Sequence, residues 1–403
     1  MSSWFLNLLS ALGVLGSVVW VAFAVSAARH RKGIRHLAAL SDAEPEEGWP
    51  SLAVVFAARD EAGQVEAAAR SMLRLDYPGL RVIAVDDRSA DGTGAILDRI
   101  AAEDARLTVV HVATLTDGWL GKTHALQAGA DASDAEWILF TDADVIFAPG
   151  SLRRALAFAV RERADHVTVP PNVPTEGLGE RLFLAMFQAA LAMHGPGWRV
   201  EDDRGRASMG IGAFNLVRSE SLRGIGGFRR LALSVDDDMQ LGRALKWSGR
   251  RSRVVLGGSE VSVRWQVGLG GMIRGLEKNF FAAARFRVVA VVLATMVIYV
   301  LGAAPFAGLF VGPIWPRVVC AFGVATIAVA AGRLGVQSGV KWYHGLLLPA
   351  GAAFCVLALW RSTALTLARG GVNWRGHLYP LDQLRDHVRR REAWMAELWR
   401  STR

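Results

Sequence analysis

The sequence predicts an α/β fold, a doubly wound, parallel, Rossmann-like sheet, with membrane helices at the N-terminal and C-terminal ends of the chain. Three observations carry that reading. Apolar, strand-like runs alternate with helical stretches from Leu52 to Asp142, the pattern of successive βαβ units. Met1 to Ala28 contains no charged side chain. Mean hydropathy over the 403 residues is +0.26, too high for an ordinary soluble domain, and the excess lies at the two ends.

The first apolar stretch, Trp4 to Ala28, is about 25 residues or roughly 37 Å of helix. That exceeds the ~30 Å hydrocarbon core of a bilayer. Ser26-Ala-Ala28 would also suit a signal-peptide cleavage site. The basic run Arg29-His-Arg-Lys32 favours a retained anchor whose following domain stays in the cytoplasm. The organisation expected is an anchor over 1–32 and an acidic linker over 33–50 that ends in Gly48-Trp-Pro50. The catalytic-type α/β domain follows over 51–268.

Within that domain, Leu52 to Ala57 reads as a first strand and Arg81 to Val85 as a second. Leu107 to Val112 is a third, and Trp137 to Phe140 the next. Tyr77-Pro78-Gly79 breaks the first helix, and Gly118 to Lys122 is a glycine-bounded loop before a helix starting at Thr123. Further on, Leu178 to Met193 reads as a long apolar helix and Met209 to Arg218 as a strand entered through glycines. Met239 to Trp247 reads as a helix closed by Ser248-Gly249.

Residues 269–287 read as one amphipathic helix lying in the membrane interface. Arg274, Lys278 and Arg285 share one face, and Ile273, Leu276 and Phe280 another. Membrane helices are expected over 288–368, as Val288 to Val311, Arg317 to Ala331 and Gly345 to Ala368. A basic cytoplasmic tail covers 369–403. From Arg361 to the end there are 9 Arg against 4 acidic residues, and three crossings would put that charge on the wrong side. One of the last two segments is therefore expected to be re-entrant or interfacial. Cys320 and Cys355 lie in apolar stretches and read as free thiols. The net charge of +9 follows from membrane flanks and comes with no nucleic-acid motif, so no nucleic-acid partner is expected.

The chemistry concentrates at strand ends. Thr141-Asp-Ala-Asp144 closes an apolar strand with two carboxylates at i and i+2, on one face of an extended backbone. The carboxyl end of a parallel strand is where open α/β sheets bind ligands. Two such carboxylates suit a divalent cation that carries a diphosphate; taken alone, the pair reads first as a polar strand end with a helix N-cap. Asp86-Asp87 closes the second strand, where a carboxylate can accept from a nucleobase or a ribose, or cap the next helix. Lys122 opens a helix, and an ammonium at a helix N-terminus suits a diphosphate. Asp236-Asp-Asp238 holds three adjacent carboxylates, of which one can cap a helix and one can act as a general base. Arg264-Trp265 joins a guanidinium to an indole, suited to a sugar or a lipid headgroup, or to anchoring at an interface.

Read together, these motifs resemble the membrane-anchored family 2 inverting glycosyltransferases with a GT-A catalytic domain, the nucleotide-diphospho-sugar transferase fold. The anchor arrangement and the tail Gly370-Gly-Val-Asn-Trp-Arg-Gly-His-Leu-Tyr-Pro380 resemble members that glycosylate lipids, such as ceramide glucosyltransferase-like, hopanoid-associated and carotenoid glycosyltransferases, with Trp374-Arg375 either folding back to the site or binding headgroups. Ala58-Arg-Asp-Glu61 resembles the A-R-N-E motif, with Asp60 in place of Asn. Val85-Asp-Asp-Arg-Ser-Ala-Asp-Gly-Thr93 is similar to V-D-D-x-S-x-D-G-T, and Gly121-Lys122 with Ala125-Leu126 to G-K-x-x-A-L. The resemblance implies donor contacts at Ala58, Asp60, Glu61, Asp86, Asp87, Lys122 and Asp142, with Asp86 on the uracil. It implies Mg2+ or Mn2+ held by Asp144 with Asp142. Counting back from Leu245-Lys-Trp-Ser-Gly249 aligns the family's acidic pair with Asp237-Asp238, which implies Asp238 as general base and Asp237 as second choice. Arg264 and Trp265 match only part of the Q-x-x-R-W acceptor motif, since Val261 stands where the glutamine belongs.

The activity implied is transfer of a sugar from a UDP-sugar to a hydroxyl of a membrane lipid acceptor, by a multi-pass protein of the cytoplasmic membrane whose catalytic domain faces the cytoplasm. The alternatives are a polyprenyl-phosphate or polysaccharide glycosyltransferase, and a non-catalytic scaffold that binds a nucleotide sugar in the bilayer.

Overall fold

A computed structural model of the chain describes residues 3–30, 35–195, 197–335 and 338–402. Arg31 and Lys32 of the expected basic flank lie outside the described residues. The chain forms two compact units, each discontinuous in sequence. One gathers Ile34–Asn172, Gly197–Arg264 and Trp374–Arg403; the other gathers Met1–Gly33, Val173–Pro196 and Trp265–Asn373. The sequence reading drew the α/β domain as a single stretch over 51–268.

Among the described residues, ten strands precede the C-terminal hairpin in the first unit: β1 (Arg35–His36), β2 (Leu52–Ala58), β3 (Arg81–Asp87), β4 (Leu107–Val112), β5 (Trp137–Asp142), β6 (Val145–Phe147), β7 (His166–Thr168), β8 (Asn215–Arg218), β9 (Ser252–Leu256) and β10 (Val261–Val263). Eight of them form one sheet in the order β1-β9-β7-β8-β5-β2-β3-β4. β2 lies between β5 and β3 and is parallel to both. Its Val54, Val55 and Phe56 are fully buried, as a strand covered on both faces requires. The helix Gly121–Asp131 lays Ala125 and Leu126 on Val55, Val85 and Phe140 in one core.

Two features depart from an all-parallel sheet. β8 runs antiparallel to both β5 and β7. It is also shorter than the strand expected from Met209, because the glycine-bearing residues before Asn215 form a turn. β6 and β10 pair antiparallel as a separate ribbon immediately after Asp144, with Val145 opposite Val263. The stretch read as a linker contributes β1, which pairs parallel with β9 and carries an ion pair from Arg35 to Glu162 at 2.6 Å.

The basic tail is part of this unit. Its helix Leu381–Ser401 buries Met395 in the core with Leu241 and Leu245. Arg243 grips Glu392 with two hydrogen bonds, 2.7 and 2.9 Å.

The second unit is apolar. Among the described residues, three of its helical segments are long and apolar enough to cross a membrane: Ser3–Arg29, Ile314–Leu334 and Trp342–Arg369. Val288–Gly302 is a shorter apolar helix of 15 residues. It stops before Ala304-Pro305, so the expected span to Val311 is broken into two pieces. The single interfacial helix expected over 269–287 is replaced by two short ones, Gly268–Gly275 and Asn279–Ala283. Gly270, Gly271 and Gly275 weaken a helix there, and Glu277 turns to an ion pair with Arg361 at 2.7 Å. The long helix Leu178–His194 also belongs to this unit, where Phe183 and Met186 share a core with Trp20, Ile327 and Ala352.

Close approaches fix the directions of these segments. A Cβ on Gly13 would meet Cys320 Sγ at 3.0 Å, and one on Gly323 would strike Ser17, so Ser3–Arg29 and Ile314–Leu334 run the same way. Between them the chain runs the opposite way, with Val300 beside Gly16, Ala304 beside Gly13 and Gly312 beside Ser10. Trp342 then lies beside Gly332 and Gly345 beside Ala328, so the chain turns back along Ile314–Leu334. Ala352 packs at Gly302, and Trp360 Nε1 donates to Thr295 Oγ1 at 3.0 Å. Leu348–Arg369 therefore runs antiparallel to Val288–Gly302.

Candidate active site

The ends of β2, β3 and β5 open on one side of the sheet, together with the start of the Gly121–Asp131 helix. Lys122 Nζ lies 2.6 Å from Asp142 Oδ1 and 3.7 Å from Asp237 Oδ1. A small pocket here is lined by Lys122, Asp142, Gly212, Asn215, Asp237 and Asp238. Residues widely separated in sequence thus meet because parallel strands end together.

The three adjacent carboxylates have three different jobs. Asp237 and Asp238 are the first two residues of the helix Asp237–Trp247, where acidic side chains complement free backbone N–H groups. Asp238 accepts hydrogen bonds from Gly212 N at 2.7 Å and Met239 N at 2.8 Å. Asp237 is buried and turns to Lys122. Asp236 accepts from Arg391 of the C-terminal helix at 3.4 Å and from Gln240 at 2.6 Å. The loop before β8 makes this packing feasible. A Cβ on Gly210 would collide with the Asp238 carbonyl, and one on Gly212 would come 2.6 Å from Asp142 Oδ2.

Burial and charge set the protonation of these groups. Burial works against the charge of Lys122, but Asp142, Asp237 and Asp238 outweigh it and hold the ammonium protonated well above the usual lysine range. Burial raises the pKa of Asp238, with Lys122 and two backbone N–H groups opposing and Asp142 adding to the rise. Asp144 is pushed up to about 7 by burial, with Asp142 and Glu61 repelling its charge. Its Oδ1 is buried and takes no hydrogen bond.

Among the described residues, no three His, Cys, Asp or Glu side chains are gathered as a ready-made metal cage. A cation that arrives with a diphosphate needs only one or two protein carboxylates. The orphaned Asp144 oxygen, in a place made unfavourable by two further carboxylates, fits such a cation.

The other donor-side positions lie around the same crevice. Ala58 ends β2, and Asp60 follows in a left-handed conformation, φ 53°. Glu61 is raised by burial, held down by Arg375 and repelled by Asp142. Asp86 is buried, 3.2 Å from His111 Nδ1. Asp87 is gripped by Arg88 at 2.8 and 2.9 Å, with Arg59 at 3.7 Å. Arg264 follows β10, whose Val263 pairs with Val145 next to Asp144. Trp265 belongs to the other unit, where its ring packs on Phe187 at 5.2 Å.

Sequence reasoning missed Gly212 and Asn215; it singled out the tail Gly370 to Pro380, with Trp374-Arg375 either folding back to the site or binding headgroups, and gave Tyr379 no role. Asn215 Oδ1 accepts from Ile211 N at 3.3 Å and lies 3.0 Å from His166 Nε2, which fixes the loop that holds Asp238. The available signal was the glycine pair before Asn215, which marks a close backbone approach as well as a strand entrance.

Comparison with known proteins identifies the family and the fold. Residues 53–222 match the family described as "Glycosyl transferase family 2". The chain is 27% identical to a β-monoglucosyldiacylglycerol synthase of Synechocystis sp. over 244 residues, 55% of this chain and 48% of that protein. A protein of the same name from Trichormus variabilis is 30% identical over 31% of this chain and 27% of its own length. The succinoglycan biosynthesis protein ExoO of Rhizobium meliloti is 33% identical over 29% of this chain and 30% of its own. The chain thus spans about half the length of the Synechocystis relative. Among solved structures, the mannosyltransferase PcManGT of Pyrobaculum calidifontis, in complex with GDP-Man and Mn2+, superposes with a TM-score of 0.52. The identity is 17%, covering 89% of this chain and 98% of that one. Residues 53–222, which carry Lys122, Asp142 and Asp144 of the crevice, therefore form a glycosyl transferase family 2 domain on a GT-A fold, and Asp237 and Asp238 follow beyond the matched stretch.

Proposed function

We propose that this protein is a membrane-embedded glycosyltransferase that moves a sugar from a UDP-sugar to a hydroxyl of a membrane lipid, with inversion. The observation that carries the reading is the meeting in one pocket of Lys122 and Asp142, from the family 2 stretch, with Asp237 and Asp238, which follow it. The two relatives named as glucosyldiacylglycerol synthases support a lipid acceptor.

In this mechanism Lys122 binds the donor diphosphate and stabilises the charge that develops as it leaves. Asp142 and Asp144 are the residues that would hold Mg2+ or Mn2+, whose chemistry there is charge neutralisation. Asp238 takes the proton from the acceptor hydroxyl as it attacks the anomeric carbon; its raised pKa strengthens it as a base. Asp237 keeps Lys122 oriented. Asp86 and Asp87 close the nucleoside end, and Arg264 and Trp265 serve the acceptor.

The domain is read as cytoplasmic and the chain as crossing the membrane three times. Taking the Arg29 end of Ser3–Arg29 as cytoplasmic from its basic flank, Val288 to Gly312 crosses outward and Ile314–Leu334 returns. Residues 342–369 enter and leave on that same side, reaching roughly 20 Å deep at the level of Gly302. This leaves Arg369, at the start of the basic tail, on the Arg29 side. Arg29, Arg287, Arg333 and Arg369 end or flank the helices on that side, in keeping with the positive-inside rule. Outward-facing Val289, Leu293, Trp315 and Phe322 supply an apolar surface for lipid.

The test is to incubate the protein in mild detergent with Mn2+, a panel of UDP-sugars and a lipid extract containing diacylglycerol. Mass spectrometry of the organic phase then reads the product. One added hexose, lost in Asp238→Asn, is the expected result. UDP release without a lipid product in the native protein would overturn the lipid acceptor.

A further inference from the structure

We propose that the C-terminal hairpin is part of the donor site, and that Arg375 and Tyr379 are donor-binding residues. The proposal rests on reading the crevice as a nucleotide-sugar site.

The hairpin joins β11 (Gly371–Trp374) to β12 (His377–Pro380). Its two turn residues, Arg375 and Gly376, both have positive φ, 49° and 77°. A two-residue turn of this kind favours glycine or asparagine at both places. An arginine is held there against that preference, and its guanidinium lands on the crevice. Nη1 donates to the carbonyl of Asp60 at 3.3 Å, and Nη2 pairs with the Glu61 carboxylate. Asp60 and Arg88 are left-handed too, so strained non-glycine backbone is concentrated where β2, β3 and the hairpin tip meet.

Tyr379 reaches the same crevice from the second arm. Its hydroxyl accepts a hydrogen bond from Gly121 N at 3.2 Å, the first residue of the helix that carries Lys122. N–H groups at a helix start are ready partners for a phosphate oxygen. The backbone at Gly121 is bare of necessity, since a Cβ there would strike Asp87 and come 2.9 Å from Arg88 Nη2. Burial keeps the phenol protonated, so the hydroxyl retains a proton to donate.

These contacts give the hairpin a specific task. Glu61 and Asp142 repel one another, and Arg375 relieves that repulsion in the free protein. When a nucleoside diphosphate arrives, Arg375 can exchange Glu61 for the anionic donor, while Tyr379 lines the phosphate end beside Gly121. A tail that follows a membrane segment thereby completes a site built from the first half of the domain.

The test uses the full chain in detergent, with UDP and GDP each titrated calorimetrically in the presence of Mn2+. Arg375→Gln and Tyr379→Phe are compared with the native protein and with Arg389→Gln, an exposed control on the C-terminal helix. Melting curves check the fold. Both hairpin variants are expected to weaken nucleotide binding by about tenfold, with Arg389→Gln unchanged. In turnover assays the donor KM should rise more than kcat falls. Folded variants that bind UDP or GDP as tightly as the native protein would overturn the hairpin's role and leave the donor reading intact. A native protein that binds neither nucleotide would overturn the donor reading and this proposal with it.

Discussion

The Lys122 ammonium lies 2.6 Å from Asp142, joining the first turn of one helix to the end of the central β5 strand. The same ammonium faces Asp237, so one cation ties a strand end to the start of a second helix. Lys122→Met should release three carboxylates into mutual repulsion. Breaking a buried pair costs about 3–5 kcal/mol, so a lower Tm is expected together with loss of turnover. Thermal melts and sugar transfer measured on one preparation check this. A variant that melts and turns over like the native protein would refute the role given to Lys122.

Asp238→Asn preserves shape and the acceptor for Gly212 N while removing the base. Turnover should fall by about 100- to 10,000-fold with UDP affinity nearly unchanged. Asp237→Asn should instead weaken donor binding, because its partner is Lys122. Separate determination of kcat and donor Kd distinguishes the two.

Asp144→Asn removes the orphaned carboxylate oxygen. Mn2+ with UDP is expected to raise the Tm of the native protein and to leave that of the variant unchanged. An equal rise in both would place the cation elsewhere.

His166 is fully buried, and burial pushes its pKa down to about 4. The unfolded chain gains this proton near pH 6.5 and the folded one only near 4. Stability should therefore decline as pH falls from 6.5 to 4, by up to about 3 kcal/mol from this residue. His387, pushed down to about 3 by burial and by Arg391 and Arg390, adds to the same decline. Urea unfolding at pH 7 and pH 4.5 reads the slope, which His166→Asn should flatten.

The three-crossing path proposed above predicts Phe310 and Ser401 on opposite sides of the membrane. Phe310→Cys should react with an impermeant maleimide from outside intact cells, and Ser401→Cys only in inverted vesicles. Labelling of both from one side would refute that path.

The sequence by itself determined the βαβ succession, the acidic strand ends and the apolar ends of the chain. Those are local properties: strands are apolar runs of fixed period, and spans are set by length against bilayer thickness. It also singled out Lys122, Asp142 and Asp144 as candidates, because carboxylates and a helix-start lysine stand out at the ends of apolar runs, whereas the choice of Asp237 and Asp238 among three adjacent carboxylates rested on the resemblance to a family. Tertiary structure alone decided which of these touch. That Asp236 turns to Arg391, Asp237 to Lys122 and Asp238 to Gly212 depends on a helix start facing a glycine turn from elsewhere in the chain. Only the folded chain reveals that Leu178–His194 leaves the sheet unit while the tail joins it, since both assignments rest on long-range burial. The same holds for Arg375 and Tyr379. Their contacts bridge more than 250 residues of sequence, and no local pattern encodes a meeting of that kind.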